Sequence, residues 1–272
     1  MTPQQKEALA HLEARLEDYL ARSERGEIAV SCFLTPGERK QAQRYLARRG
    51  VGKRCRFWGG YSDAERTCLT VLPSFYEEMV DWMSEDEGGE MPFAEDGDED
   101  GVTAVRITGS GYRTLTHRDY LGSLLGLGLE RDALGDIAVQ NDREAVVFCK
   151  RRMANFLLST LEKVASDAVK CREYAVGDDF TDGRCYKSVN DTVASARLDC
   201  IVAALTNLSR EDAQGLVRGG MVDLDFETEE RVDKILTAPA TLSVRGYGRY
   251  VLRAFDGETK KGRLRMRADQ LI

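Results

Sequence analysis

The stretch that decides the fold is SARLDCIVAALTNLSREDAQGLVRGGMV, residues 195–222. Apolar residues recur every three or four positions over 198–205, which predicts a helix with one buried face. Ser209 predicts the N-cap of a second helix, with Asp212 completing a capping box. The glycine pair 219–220 predicts the end of that helix, and the residues MVDLD predict a strand after it. The stretch is therefore interpreted as two short amphipathic helices followed by a strand.

Positive charge is concentrated on the outer side of these two helices. Arg197 lies outside the apolar stripe of the first helix. Arg210, Gln214 and Arg218 recur every four residues on the polar side of the second helix. Guanidinium groups bind phosphates in a forked, bidentate manner. The spacing therefore predicts a surface for the phosphate groups of a nucleic acid.

Two further segments carry basic residues. TLSVRGYGRYVLR, residues 241–253, is predicted to be one strand, whose glycines let another backbone approach closely. In the tail KKGRLRMR, arginine alternates with leucine and methionine, which predicts a strand with one entirely basic face. The candidate anion contacts in these two segments are Arg245, Tyr247, Arg249, Arg263 and Arg265.

The acidity of the chain is concentrated in one place. The formal net charge is -7, but residues 85–100 hold nine acidic residues and no basic one. Without those nine carboxylates, the formal charge of the remaining chain becomes +2. A run of this composition predicts a flexible, solvated insert, which we place at residues 84–101. The remainder of the chain is therefore free to bind an anion.

The composition also excludes several classes of protein. In 272 residues, no apolar run approaches the roughly 20 residues of a membrane span. The first 25 residues lack the pattern of a signal peptide, so a cytoplasmic, monomeric protein without a membrane partner is expected. The seven cysteines are scattered and form no CxxC pair. The two histidines, His11 and His117, are far from any cysteine pair in the sequence, so a clustered set of metal ligands is not found. Reduced thiols, and neither a metal nor a cofactor, are therefore expected.

The pattern of elements predicts an α+β protein with several domains. Residues 1–83 are interpreted as a small N-terminal α/β domain. Residues 102–180 predict strand, helix, strand, strand, helix, strand, an order typical of the ferredoxin-like sheet that many RNA-recognition modules share. The sequence does not show the paired exposed aromatics of a base-stacking sheet. Residues 187–272 form the third region.

Four motifs carry a resemblance to a known family. The segment ASARLDCIVAALTNLSREDAQGLVRGGMVDLD, residues 194–225, resembles the S-four RNA-binding domain, named for a small-subunit ribosomal protein. GGYSDAER at 59–66, LTHRDYLGSLLGLGLERDALGDIAV at 115–139 and SVRGYGRY at 243–250 are similar to the YlmH-type S-four proteins. The motifs occur in the same order and cover most of the chain.

The resemblance implies three domains: an N-terminal α/β domain, a middle domain like an RNA-recognition motif, and a C-terminal S-four domain. It also implies binding to ribosomal RNA on the large subunit, with tRNA as a possible partner, in rescue or quality control of stalled ribosomes that carry peptidyl-tRNA. The RNA contacts that it implies are Arg197, Ser209, Arg210, Gln214 and Arg218, supported by Arg245 and Arg249.

Two alternatives to a non-catalytic RNA-binding protein stay open at this point. Arg197-Leu198-Asp199 resembles the motif that carries the catalytic aspartate of pseudouridine synthases. In this chain, however, Asp199 lies within the S-four helix, and only about 70 residues follow it. The other alternative is a protein-interaction adaptor that binds through the acidic insert. No catalytic constellation is found, so an enzyme is not expected.

Overall fold

The computed structural model of the protein describes residues 3–76 and 100–272. The chain divides into two compact units, Met1–Gly183 and Arg184–Ile272. The predicted acidic insert, residues 84–101, lies outside the described residues except for its last two. Each unit combines helices with antiparallel sheets, so the predicted α+β class is confirmed.

A three-stranded antiparallel sheet and two helices form the first half of the first unit. The elements are α1 (Pro3–Glu24), β1 (Ala29–Leu34), α2 (Pro36–Arg48), β2 (Cys55–Trp58) and β3 (Thr67–Val71). The strand order is β1, β3, β2. Helix α2 begins at a capping box in which Thr35 and Glu38 exchange hydrogen bonds. The sequence prediction omits β1, although its side chains AVSCFL alternate at first between buried and half-buried positions.

A five-stranded antiparallel sheet with two helices forms the second half of this unit. The elements are β4 (Val102–Gly109), α3 (His117–Gly126), β5 (Leu134–Asn141), β6 (Glu144–Lys150), α4 (Arg151–Thr160), β7 (Lys163–Val164) and β8 (Asp167–Tyr174). The strand order is β5, β6, β4, β8, β7. Helices α3 and α4 pack on one face of the sheet, where Ile107, Tyr120 and Leu157 are buried together. On the other face, residues of the first half of the unit can pack against the sheet.

The second unit consists of a six-stranded antiparallel sheet and two helices. The elements are β9 (Tyr186–Val193), α5 (Leu198–Thr206), α6 (Arg210–Arg218), β10 (Val222–Leu224), β11 (Glu227–Thr228), β12 (Ala240–Val244), β13 (Gly248–Glu258) and β14 (Leu264–Leu271). The strand order is β11, β10, β12, β13, β14, β9. The prediction of a single strand over 241–253 is wrong, because β12 and β13 form a hairpin. Positive φ angles of 87° at Gly246 and 109° at Gly248 make this turn possible.

The two faces of the six-stranded sheet have different surroundings. Tyr250, Leu252 and Met266 are buried in the core that contains the apolar side chains of α5 and α6. We call this side of the sheet the inner face. Successive side chains of a strand point to opposite faces. Arg249 and Arg265, which alternate with these core residues, therefore lie on the opposite side, which we call the outer face.

Candidate RNA interface

A buried carboxylate organises the helix side of the second unit. Asp199, in the first turn of α5, is 0% exposed. Arg197 donates to it through Nε and Nη2, at 3.0 and 3.1 Å from the two carboxylate oxygens. Arg210 Nε and Gln214 Nε2 lie 3.0 and 2.8 Å from its Oδ2 atom. We call these four residues the Asp199 cluster.

The local sequence explains why the Asp199 cluster forms. Arg210 and Gln214 lie four residues apart on α6, so both side chains leave the helix on the same side. Asp199 lies near the N-terminus of α5, where the helix dipole favours negative charge, and it also accepts from the backbone N–H of Cys200 at 3.0 Å. Burial alone raises the pKa of Asp199, but the hydrogen bonds from Arg197, Gln214 and Arg210 outweigh it. The pKa of this carboxyl therefore lies well below its ordinary value.

The Asp199 cluster leaves part of each guanidinium group available. The side chains of Arg197 and Arg210 are 32% and 54% exposed. A guanidinium carries five N–H donors, of which Asp199 engages only some. Since Asp199 fixes both side chains, less conformational entropy is lost when their other donors bind a phosphate. The cluster can therefore present two oriented cations to an anion.

Three more of the predicted residues lie on or beside α6. Arg218 Nη2 is 3.4 Å from Gln214 Oε1 and extends the row of polar side chains. Arg245 packs at the end of α6, where its Nη1 atom is 3.6 Å from Met221 Sδ. Ser209 is the N-cap of α6, and its hydroxyl is 2.6 Å from Asp212 Oδ2. The observed contacts of Ser209 are thus those of a helix cap.

The other predicted residues of the second unit lie elsewhere. Arg249 and Arg265 are on the outer face of the sheet, whereas α5 and α6 cover the inner face. Arg263 precedes β14 and donates through Nε to Thr192 Oγ1 at 3.0 Å. Tyr247 lies in the turn between β12 and β13. The ten predicted residues are therefore divided between a helix side and a sheet side.

The predicted all-basic face of the last strand is wrong. Asp269 lies on the same side of β14 as Arg265 and Arg267. Its carboxylate accepts from Arg253 Nε at 2.8 Å. Arg267 is also paired with an acid, since its Nε atom is 3.3 Å from Asp256 Oδ2. The outer face is therefore a mixture of arginines and carboxylates.

Sequence reasoning missed several residues around these surfaces. The acceptor role of Asp199 is one of them, although an acid flanked by Arg197 could have suggested it. Two aromatic side chains beside outer-face arginines are also absent from the prediction. They are Phe226, whose ring centre is 5.4 Å from the Arg249 guanidinium carbon, and Tyr186, 5.4 Å from that of Arg253.

In the five-stranded sheet of the first unit, the face opposite the helices is covered by other side chains around Phe148. Phe148, on the interior strand β6, is 0% exposed. The ring centres of Tyr61 and Phe180 lie 4.9 and 5.6 Å from its own. Gly60 also packs on this ring, because a methyl group added there would lie 2.2 Å from Phe148 Cδ1. Phe148 is therefore unavailable for stacking on a base.

Hydrogen bonds hold the segment 61–66, which includes Tyr61, against the five-stranded sheet. The Tyr61 hydroxyl donates to Asp136 Oδ2 at 2.7 Å, and the backbone N–H of Glu65 donates to the same oxygen at 2.8 Å. The backbone N–H of Arg66 donates to Asp136 Oδ1 at 3.1 Å. These bonds connect segments about 70 residues apart in the sequence. Asp136 therefore fixes the first half of the unit to the second.

Metal-binding and membrane-spanning features are not found among the described residues. In the part of the chain that the structure describes, no group of three or more His, Cys, Asp or Glu side chains could hold a metal ion. No helix within residues 3–76 and 100–272 is long and apolar enough to cross a membrane.

Comparison with known proteins finds a sequence family, a curated relative and a solved structure that are similar to this chain. Residues 102–178 match the sequence family described as "Putative RNA-binding domain in YlmH". The chain is 27% identical, over 96% of its length and 94% of the relative, to the "Ribosome-associated protein quality control protein P2" of Bacillus subtilis (strain 168). A solved structure, "Cell division protein ylmH from Streptococcus pneumoniae", has 16% identity and a TM-score of 0.48, and covers 64% of this chain and 93% of that chain.

The family match and the curated relative agree with the motifs of the sequence. The matched region contains the whole of the segment 115–139, whose resemblance to the YlmH-type proteins the sequence indicated. The relative extends the similarity over nearly the whole chain, including the Asp199 cluster region. The resemblance to the YlmH-type RNA-binding proteins is confirmed.

Proposed function

We propose that this protein is a non-catalytic factor that binds ribosomal RNA on the large subunit and acts in the rescue of ribosomes stalled with peptidyl-tRNA. The name of the Bacillus subtilis relative, a ribosome-associated quality control protein, supports this role. The RNA-binding family match over residues 102–178 supports the RNA partner. In this proposal the protein acts as a cytoplasmic monomer, and tRNA is its second RNA partner.

The proposal assigns one role to each part of the chain. Residues 1–83 form an α/β domain, residues 102–180 a domain like an RNA-recognition motif, and residues 187–272 an S-four domain. The order of elements from β4 to β8 supports the second assignment. Two helices followed by strands, over residues 198–224, support the third. The S-four domain carries the principal RNA contact.

The observation that carries the proposal is the Asp199 cluster. Arg197 and Arg210 are held by one carboxylate, and both guanidinium groups keep an exposed part. Arg218 and Arg245 lie near the other end of α6 and add two cations. We define Arg197, Arg210, Arg218 and Arg245 as the helix surface. Its cations would replace counterions along an RNA backbone, so binding should weaken steeply with salt.

The same cluster supports a non-catalytic role. A catalytic aspartate must touch its substrate, but Asp199 is 0% exposed. Its two oxygens accept hydrogen bonds from three neighbouring side chains. Asp199 therefore acts through the arginines that it orients, as a positioning residue.

Co-sedimentation with ribosomal subunits tests the proposal. The double variant Arg210→Gln, Arg218→Gln removes two charges from the helix surface. The control Arg25→Gln, Arg231→Gln removes two charges at side chains that are 62% and 66% exposed and each paired with a glutamate. We expect the wild type and the control to travel with the large subunit, and the helix-surface variant to remain at the top of the gradient.

The salt dependence of binding gives a second readout. Each lost phosphate contact lowers the slope of log K against log salt by about 0.7 to 0.9. The helix-surface variant should therefore have a slope smaller by about 1.5 than that of the control. Equal sedimentation and equal slopes for both variants would show that the helix surface does not anchor the protein.

A further inference from the structure

The outer face of the C-terminal sheet carries two contacts between an arginine and an aromatic ring. The guanidinium carbon of Arg249 is 5.4 Å from the ring centre of Phe226. That of Arg253 is also 5.4 Å from the ring centre of Tyr186. Both arginines lie on β13, on the side opposite the helices α5 and α6. The face therefore presents flat cationic and aromatic groups to solvent.

The backbone at Phe226 is in an unusual conformation. Asp225 and Phe226 form the two-residue turn between β10 and β11, with φ angles of 47° and 67°. Such turns favour Asn-Gly, and a bulky residue at positive φ is an outlier. Thr241 fixes the turn, since its backbone N–H donates to Asp225 Oδ1 at 2.8 Å. The fold thus holds an aromatic ring beside Arg249 at a position where glycine would be less strained.

The outer face also carries several arginines, some of which are paired with carboxylates. Its arginines are Arg249, Arg253, Arg265 and Arg267, with Arg263 at its border. The carboxylates of Asp269 and Asp256 pair with Arg253 and Arg267, and Asp223 accepts from Thr228. The side chain of Arg265 is exposed. It is therefore available to a phosphate.

We propose that this outer face is a second RNA surface, separate from the helix surface, and that it takes a single strand. Unpaired bases can stack on aromatic rings and guanidinium planes, whereas the bases of a duplex are already stacked on one another. The rings of Phe226 and Tyr186, with their neighbouring arginines, would stack on bases. Arg265 would bind a phosphate of the RNA backbone. This inference rests on the proposed RNA-binding function and adds the class of RNA that the outer face recognises.

Fluorescence anisotropy with two labelled RNAs tests the inference on the full-length protein. One probe is an oligouridine of about ten nucleotides, within the usual site size for single strands. The other is an RNA hairpin with a long duplex stem. The sheet variants are Phe226→Gly, which also removes the positive-φ strain, and Tyr186→Ala. The control is Phe75→Ala, which removes an aromatic side chain that is 64% exposed in the first unit.

We expect each sheet variant to weaken oligouridine binding by at least about fivefold, as the loss of one stacked base does. Their affinity for the hairpin should change by less than about twofold, and their thermal unfolding midpoints should match the wild type. The control should bind both RNAs as the wild type does. Oligouridine binding that is absent in the wild type, or unchanged in both sheet variants, would overturn the inference.

The helix-surface variant Arg210→Gln, Arg218→Gln separates this inference from the proposed function. If it loses hairpin binding while the sheet variants bind oligouridine normally, the outer-face inference fails and the proposed function stands. If neither set of variants changes the affinity for either RNA, both fail. If each set affects a different RNA, both are supported.

Discussion

The protein contains two large antiparallel sheets, and each is covered by helices on one face only. On the other face, the sheet of β4 to β8 is closed by Tyr61 and Phe180, which bury Phe148 completely. The corresponding face of the C-terminal sheet carries Phe226 and Tyr186 in contact with arginines. The first face is a packing surface, whereas on the second the side chains of Tyr186 and Arg253 are exposed to solvent.

The difference between the two faces shows that a sheet whose strand and helix order predicts an RNA-recognition module need not expose its aromatic side chains. In such modules, exposed aromatics on the central strands stack on bases. Here the aromatic of an interior strand, Phe148, contributes instead to the contact between the two halves of the first unit. An arginine–aromatic contact also lies beside Phe148, since the guanidinium carbon of Arg106 is 4.1 Å from the ring centre of Tyr174, but Asp179 pairs with both of these side chains. On the C-terminal sheet the two aromatic rings instead lie beside arginines on a face that helices do not cover. Matching a family over residues 102–178 therefore does not specify which face binds RNA.

The largest effect is expected from opening the closed sheet with Gly60→Ala. The added methyl group would lie 2.2 Å from Phe148 Cδ1, and φ at this position is 100°. Overpacking and the unfavourable φ together should lower the free energy of unfolding by about 3 kcal/mol. Chemical denaturation measures this change. The control Gly122→Ala, on α3 with open space around it, should stabilise the protein by about 0.5 kcal/mol.

The next largest effect is expected from the hydrogen bonds of Asp136, which join the segment 61–66 to the five-stranded sheet. Asp136→Ala removes the acceptor of Tyr61, Glu65 and Arg66, so the free energy of unfolding should fall by about 2 kcal/mol. Hydrogen exchange should then be faster at the amides of Glu65 and Arg66. The control Asp142→Ala changes an exposed turn residue and should have little effect. Equal stability of the two variants would mean that apolar packing alone closes the sheet.

A third change tests the Asp199 cluster, on the helix side of the C-terminal sheet. Asp199→Asn removes the charge that orients Arg197 and Arg210, both partly exposed, and should cost about 1.5 kcal/mol. The control Asp256→Asn breaks an exposed pair and should cost less than about 0.5 kcal/mol. RNA affinity should also fall in Asp199→Asn, although the variant has a more positive net charge. A gain in affinity would show that charge matters more than orientation.

The pH dependence of stability gives this third change a further test. The pKa of Asp199 is lower in the folded protein than its ordinary value. Its contribution is therefore fully present above the unfolded value of about 3.9, and is lost as the pH falls through the folded pKa. The difference in stability between wild type and Asp199→Asn should be constant near neutral pH and should narrow only below about pH 4. A difference that already narrows near pH 6 would point to another titrating group.

The smallest effect concerns the open face itself. Phe226→Gly and Phe226→Ala both remove the ring, but only glycine relieves the positive φ of 67°. The difference between the two variants therefore isolates the backbone strain from the loss of the ring, and the glycine variant should be more stable by about 1 kcal/mol. Thermal unfolding of the two variants measures it. Equal stabilities would mean that the turn relaxes when the ring is removed.

Much of the local structure can be predicted from the sequence. The helices around residues 117–126 and 210–218 follow from an apolar period of three to four residues and from their capping side chains. The pattern does not predict strand β1, since a short, mainly apolar run such as AVSCFL cannot be distinguished from a buried helix segment by its period. It predicts a continuous strand in place of the hairpin at residues 245–247, because glycine between basic and aromatic residues suits either structure. The helices and their caps are predicted because they depend on neighbours within a few positions.

The candidate site shows where such reasoning stops. The sequence indicates Arg197, Arg210 and Gln214 as one group, but not the buried carboxylate that joins them. It also groups Arg249 and Arg265 with them, although these two lie on the other face of the sheet. The face of a strand residue depends on which of its neighbours pack into the core. That choice involves residues distant in the chain, so the residue pattern alone leaves it open.

The sequence by itself determined the helices of the second unit, their caps and the location of positive charge, because these depend on residues a few positions apart. Only the tertiary structure decided which sheet face is closed, which is open, and which arginines share a carboxylate. Tyr61 and Asp136 meet across 75 positions, and Asp199 and Gln214 across 15. Contacts over such distances form only when the apolar cores bring the elements together, and the sequence pattern does not record that geometry.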